Sequence, residues 1–396
     1  MSMQSTLSKQ DMTAWRDLIT PPQQAHAVFT AILCFLSCLV LPLSDHPTVS
    51  MIFLLACAAY YYALTHSLRS LLLFVAPLAL LYAVSILFPA IPNPLLLPCA
   101  AATLLLGGST GAFLLTHYYD LRRYWFLPAL PVAAWGAAAL ITGDPIRGLL
   151  TLLPLVPAIV GAYCILHCTP RTESTVRIAA ALGAALALAG VITLAAMNAL
   201  RGESITALAD YLRGAVIAFF HEARALYAEA GMDLALSEVD ISNTAAMLVN
   251  ILPGLFCAAC AIIGFLLWRL LITLLAAYGS IRRCPLRLAA FTMSRTSAVL
   301  FVVSYVASLI ANTGGVTPFG TVCQNLSIVL EPGLAYIGFV SLLTTGRSCL
   351  SHILAFSLIF VTFSYPGVGL AIAALLGAFR ILAARFLPHP NDKGEK

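Results

Sequence analysis

The chain of 396 residues is 61% hydrophobic and only 9% charged, and its 21 lysines and arginines outnumber its 16 acids to give a formal net charge of +5. So few charges cannot cover a water-soluble exterior of this size, which excludes an ordinary soluble domain and leaves lipid as the covering. The basic excess is scattered as loop charges rather than gathered into a patch, so no nucleic-acid partner is expected.

The first apolar run follows a lead with Lys9, Asp11, Arg16 and Asp17 and has no small-residue cleavage site, so it reads as a retained span and not a removed signal peptide. Hydropathy predicts spans at 26–43, 49–65, 70–88, 94–115, 124–141, 148–166 and 178–197, then, after a polar interval, at 246–278, 297–311, 326–343, 350–363 and 368–387. The expected fold class is all-α, a polytopic integral membrane helix bundle of about 12 transmembrane helices, with ten to twelve as the range.

Basic residues near the span ends give the orientation, because short loops rich in them stay in the cytoplasm. With the N-terminus inside, the inner connections hold Lys9, Arg16, Arg69, Arg122, Arg123, Arg171, Arg177, Arg282, Arg283, Arg287, Arg295, Arg347, Arg385, Lys393 and Lys396, and the outer ones only Arg147, Arg201, Arg213 and Arg224. This alternation predicts an even number of spans and both termini inside.

The interval from Arg201 to Asn243 carries Glu203, Asp210, Glu222, Glu229, Asp233, Glu238 and Asp240 and is extracytoplasmic on this topology. Within it Ile205, Leu208, Leu212, Val216, Phe219 and Leu226 recur at three- and four-residue steps, the pattern of an amphipathic helix that lies on the outer membrane surface or caps the bundle. A lid or partner-docking element is the functional reading, and a solvated connection with an amphipathic anchor the plainer one.

Small residues mark expected helix contacts: Gly107 and Gly111 form a G-x-x-x-G, and Ala179, Gly183 and Ala187 a small-residue ridge. Cys34, Cys38, Cys57, Cys99, Cys164, Cys257 and Cys260 lie within apolar runs and read as small hydrophobes. The C-x-x-C of Cys257 and Cys260 is half a metal site, and helix packing is the expectation there. No metal and no cofactor is expected. H-E-x-x-H, G-x-S-x-G, a Walker lysine motif and a nucleotide-binding glycine fingerprint are all missing from the sequence, so the chain is read as a non-enzyme.

Two charges fall well inside predicted spans, Arg269 and Glu331. The eighth span is roughly 50 Å long at 1.5 Å per residue, which carries Arg269 and Trp268 to the inner interface as an anchor pair. Glu331 lies roughly 14 Å into a tenth helix that enters near Val322, close to the midplane. Pro332 and Gly333 disfavour a continuous helix there, so Glu331 sits either at the break of a discontinuous helix, a recurring site for cations or substrates, or at the N-terminus of a helix that starts at Pro332. Gln324, Asn325, Asn250 and His352 are the polar neighbours available to such a site. His221 and Glu222, near Arg213 and Arg224, are the weaker candidates for chemistry on a lipid-linked substrate. The basic loop with Arg282, Arg283 and Arg287 is read as an anionic-lipid or cytoplasmic-partner contact, or as the topology signal alone.

The segment Asn250-Ile-Leu-Pro253-Gly254, a long helix, the turn Arg282-Arg-Cys-Pro285-Leu-Arg287, and spans running to Gly377 and Arg385 resemble the C-terminal half of the YybS-like family of polytopic bacterial membrane proteins, a domain of unknown function. The resemblance covers Asn250 to Phe386. It implies a bacterial inner-membrane protein without an established activity, loosely similar to the substrate-capture components of energy-coupling vitamin transporters, with Ala27 and Ala31 echoing the alanine pairs of their first helix.

The expected organisation is a cytoplasmic segment at 1–25, seven spans at 26–200, the acidic segment at 201–243, five spans at 244–387 and a cytoplasmic tail at 388–396. Small-solute binding or transport, with Glu331 as the principal contact and Asn325, Gln324 and Asn250 beside it, is the leading expectation. The rival is a non-catalytic envelope or assembly protein that docks a membrane or cytoplasmic protein, and the third is an enzyme on lipid-linked substrate. Membrane lipids are expected partners, with Trp268, Arg269, Arg282, Arg283 and Arg287 as the lipid or interface residues.

Overall fold

The structure, a computed structural model, describes residues 24–87, 93–117, 129–167, 172–202, 204–229, 231, 237–278, 293–313, 317–345 and 349–383. The described residues are helical between short turns. In chain order the helices are α1 (Gln24–Leu43), α2 (Pro47–Thr65), α3 (Leu68–Leu87), α4 (Leu96–His117), α5 (Ala129–Thr142), the single turn α6 (Pro145–Gly148), α7 (Leu155–His167), α8 (Thr172–Arg201), α9 (Ile205–Glu229), α10 (Glu238–Ala277), α11 (Arg295–Ala311), α12 (Pro318–Thr345), α13 (Cys349–Ser364) and α14 (Pro366–Ala383). Among the described residues six stretches are long and apolar enough to cross a membrane, 47–65, 96–117, 147–167, 175–201, 238–277 and 318–343, and six shorter apolar helices account for the other expected spans.

Two predicted spans differ in detail. The sixth is divided: α6 passes into a 3-10 turn at Leu149–Leu152 before α7 begins. Pro154 has no N–H to give the Leu150 carbonyl, which instead takes the Leu153 N–H at 3.2 Å in the tighter pattern. The tenth begins eight residues earlier than expected, at Pro318, and runs unbroken through Glu331 and Pro332 to Thr345. Both expectations for Glu331, a helix break and a helix N-terminus, are therefore corrected. A proline inside a membrane helix leaves one carbonyl without its intrahelical partner, and the other bonds of the helix hold its course.

The chain falls into two compact units, one made of 1–249 with 260–286 and the other of 250–259 with 287–396. In the first unit α4 is central: 83% of its apolar window is buried, and α1, α3, α2 and α7 pack on it. Ala102, Leu106 and Phe113 of α4 meet Cys57 and Tyr61 of α2, Phe74 and Leu78 of α3, Ile165 of α7, Leu182 of α8 and Leu267 to Leu275 of α10 in one apolar core. The small-residue ridges lie where helices cross: a Cβ on Gly111 would stand 2.9 Å from the Ala158 Cβ, and one on Gly183 would stand 2.7 Å from the Ala261 Cα. Cys260 is buried at this second crossing.

One end of this unit is held by polar contacts. Asn93 donates to the Ser44 carbonyl at 2.7 Å and accepts the Leu95 N–H at 3.0 Å, tying the α1–α2 turn to the start of α4. Arg147 pairs with Asp45, and Arg201 pairs with Asp144 at 3.2 Å. The connections after the first, fifth and seventh predicted spans thus meet at the same end, as alternate crossings require.

In the second unit α12 and α14 pack closely, with α11 against both and α13 against α14. The core is Ala298 and Phe301 of α11, Leu334 and Ala335 of α12, Leu358 of α13 and Ala373, Ala374 and Ala378 of α14. A Cβ on Gly338 would overlap the Ala373 carbonyl, and one on Gly377 would overlap the Leu334 carbonyl, so glycine at both positions lets the backbones touch.

Candidate functional site

The residues singled out around Glu331 divide between two faces of α12. Asn325 belongs to a clamp on the part of α10 that clusters with this unit: its Oδ1 accepts the Gly254 N–H at 2.6 Å, and its Nδ2 donates to the Asn250 carbonyl at 2.9 Å. In an uninterrupted helix those two groups bond each other. α10 runs on as helix through Pro253, and beside that proline the Asn325 amide joins both groups at once. Any side chain on Gly254 would collide, since its Cβ would stand 2.6 Å from the Asn325 Oδ1. The amide also donates to the Thr321 carbonyl at 2.9 Å, so its hydrogen-bonding capacity is spent on backbone.

Glu331 stands at the middle of the 28 residues of α12, and by helical register its face lies about 120° from that of Asn325. Gln324, seven residues earlier, shares its face, with the buried Ser327 between them and the buried Leu334 and Ala335 one turn beyond. Ser327 donates to the Gln324 carbonyl at 2.8 Å. The half-buried carboxylate of Glu331 makes no hydrogen bond or ion pair with any described residue. Ionised at the middle of a membrane helix, such a group costs about 2.5 to 3.5 kcal/mol without a partner, so it calls for a proton, a cation or a donor. Asn250 offers its carbonyl to the clamp and keeps an exposed side chain.

Trp268, expected at the interface, is fully buried in the core of the first unit. An indole in an aromatic belt has one wet edge, and this one is fully enclosed within an apolar core cluster. Arg269 is half-buried and lines a small cavity of about 20 Å³ with Tyr61, Phe74 and Leu105. Arg282, Arg283 and Arg287 lie outside the described residues.

On α9, His221 approaches Glu238 at 3.4 Å, Arg224 pairs with the same carboxylate at 3.0 Å, and Arg213 donates to Ser242 at 3.0 Å. The polar stripe of α9 therefore faces the first turns of α10, which Ser237 and Asp240 open with reciprocal capping bonds. No described residue of α9 is fully buried, and Leu226 and Tyr227 are exposed. Sequence reasoning did not find the pairing of the outer basic residues or the Gly338–Gly377 crossing. The acids near Arg147, Arg201 and Arg224 were the available signal for the first.

Residues 114–379, about two thirds of the chain, match a family described as predicted membrane proteins (DUF2232). The chain belongs to this family. The match reaches well beyond the C-terminal third that carried the resemblance, taking in the end of α4, all of α5 to α13 and most of α14. No curated protein and no solved structure matches the chain. Membership establishes a membrane protein, and its helices establish several apolar crossings.

Proposed function

We propose that the protein is a non-enzymatic component of the bacterial cytoplasmic membrane, with both termini inside, that binds or moves a small solute. The observation that carries this reading is Glu331: a half-buried carboxylate at the centre of a membrane helix, beside the core stripe of its unit, without a partner among the described residues. Membrane proteins keep such groups where an ion, a proton or a substrate amine supplies the missing charge. Gln324 is its companion on the same face, and the Asn325 clamp fixes the helix that presents both.

A second reading, docking of another protein in an assembly role, is favoured by α9, whose Arg213, His221 and Arg224 meet α10 while its apolar stripe has no fully buried residue among those described. Native mass spectrometry of the detergent-purified chain separates the two. Solute binding predicts a retained small mass that Glu331→Gln loses by at least tenfold while the variant elutes and melts like the parent. Retention of the same mass by the variant would refute the role of Glu331, and a co-purifying protein without any small mass would favour docking.

A further inference from the structure

The first unit contains a cavity of about 260 Å³ beside the G-x-x-x-G ridge of α4, walled by Cys34 and Cys38 of α1, Gly107, Gly111 and Leu115 of α4, and Ile159 of α7. Its lining side chains are hydrocarbon apart from the two thiols. The Cys34 thiol already has partners: it reaches the Gly107 carbonyl at 3.8 Å, the Thr110 hydroxyl and the Cys38 thiol. The described walls are overwhelmingly apolar and offer a polar solute little to hold, and an apolar cavity does not hold water, whereas one of about 150 Å³ already takes benzene.

The cavity reaches from mid-length, where Gly107 of α4 and Cys34 of α1 lie, to Leu115 near the end of α4 and Pro131 near the start of α5, and Ile159 in its wall lies within the apolar stretch 147–167. Ile159 lines the cavity and yet has 52% of its surface exposed, so the mouth opens sideways through the apolar surface of the unit and not at a polar end. In a chain whose family is a membrane family, the medium at that mouth is acyl chain. A space of this size left empty would cost its walls their dispersion contacts, and the neighbouring hydrocarbon is the matching filler.

We infer that this cavity is a binding site for one acyl chain of a membrane phospholipid, inserted laterally between α1, α4 and α7. The Gly107–Gly111 ridge then serves two ends, close packing on Pro154 and on Ala158 of α7 and a floor for the chain. The site is separate from Glu331 and does not depend on the solute reading.

The test uses the full chain, stripped of lipid in detergent and supplied with dioleoyl phosphatidylethanolamine. The parent should retain one phospholipid in native mass spectrometry, Leu115→Trp should retain at least tenfold less, and Ile52→Trp, on an exposed face of α2, should retain as much as the parent. In the parent alone, adding the phospholipid should slow modification of Cys34 by N-ethylmaleimide at least fivefold, a readout that stands even if Leu115→Trp does not fold. Equal retention by all three proteins, or a Cys34 rate indifferent to the lipid, would overturn the site.

Discussion

At the centre of the first unit the buried side chains are large, with Trp268, Phe113, Leu267 and Leu271 filling the space around α4, whereas the second unit closes on Ala373, Ala374 and Ala378, with Gly338 and Gly377 at the point of contact. The first arrangement gains its contacts from side-chain volume and adds ion pairs at one end. The second gains them from backbone proximity, which works in lipid because tails cover apolar side chains as well as protein does, so that close approach is what distinguishes protein from lipid. The unit with the Gly338–Gly377 contact also carries Asn325 and Glu331, whose carboxylate has no partner among the described residues.

The largest expected effect breaks the second unit at that contact. Gly377→Leu forces a side chain into the Leu334 carbonyl and should cost about 3 kcal/mol or more, seen as loss of a monodisperse peak in detergent. The same change at Gly136 of α5, with nothing within 4 Å of its Cβ, should stay within about 0.5 kcal/mol; similar losses at both sites would dismiss the backbone-contact account. Next comes the clamp. Asn325→Leu removes the partner shared by the Asn250 carbonyl and the Gly254 N–H and should lower stability by about 1 to 2 kcal/mol, with faster amide exchange at Gly254 as the local sign.

The smallest effect concerns the polar end of the first unit. The Arg147 backbone N–H, followed by that of Ile146 and the Arg201 guanidinium, holds the exposed Asp144 carboxyl below the usual carboxylate range. A depressed group stabilises the fold at pH values above its unfolded value of about 3.9 and loses that contribution as pH falls through its lower folded value. Asp144→Asn should therefore melt slightly below the parent at pH 7, and the gap should close in acid. A gap unchanged down to the folded titration would remove Asp144 from the account of that end.

Much of the fold was legible because lipid makes a simple demand: backbone groups must bond internally, so apolar runs become helices. Each predicted span coincides with a described helix or, for the sixth, with a divided one. The candidate site was legible only in part. Glu331 was marked by its charge in an apolar run, but Pro332 promised a break that α12 does not make, while Asn325, expected beside Glu331, bonds the backbone of α10 next to Pro253. Local rules state what a proline removes and not which neighbour restores it.

The sequence by itself determined the membrane class, the helical segments and the small residues at α4 and α8, because composition and period act along the chain. Only the tertiary structure decided that Trp268 is core and not belt, that Asn325 is joined to the backbone of α10, and that an apolar cavity opens beside Gly111. Those facts depend on which helix lies opposite, and in lipid that choice is made by shape between distant segments.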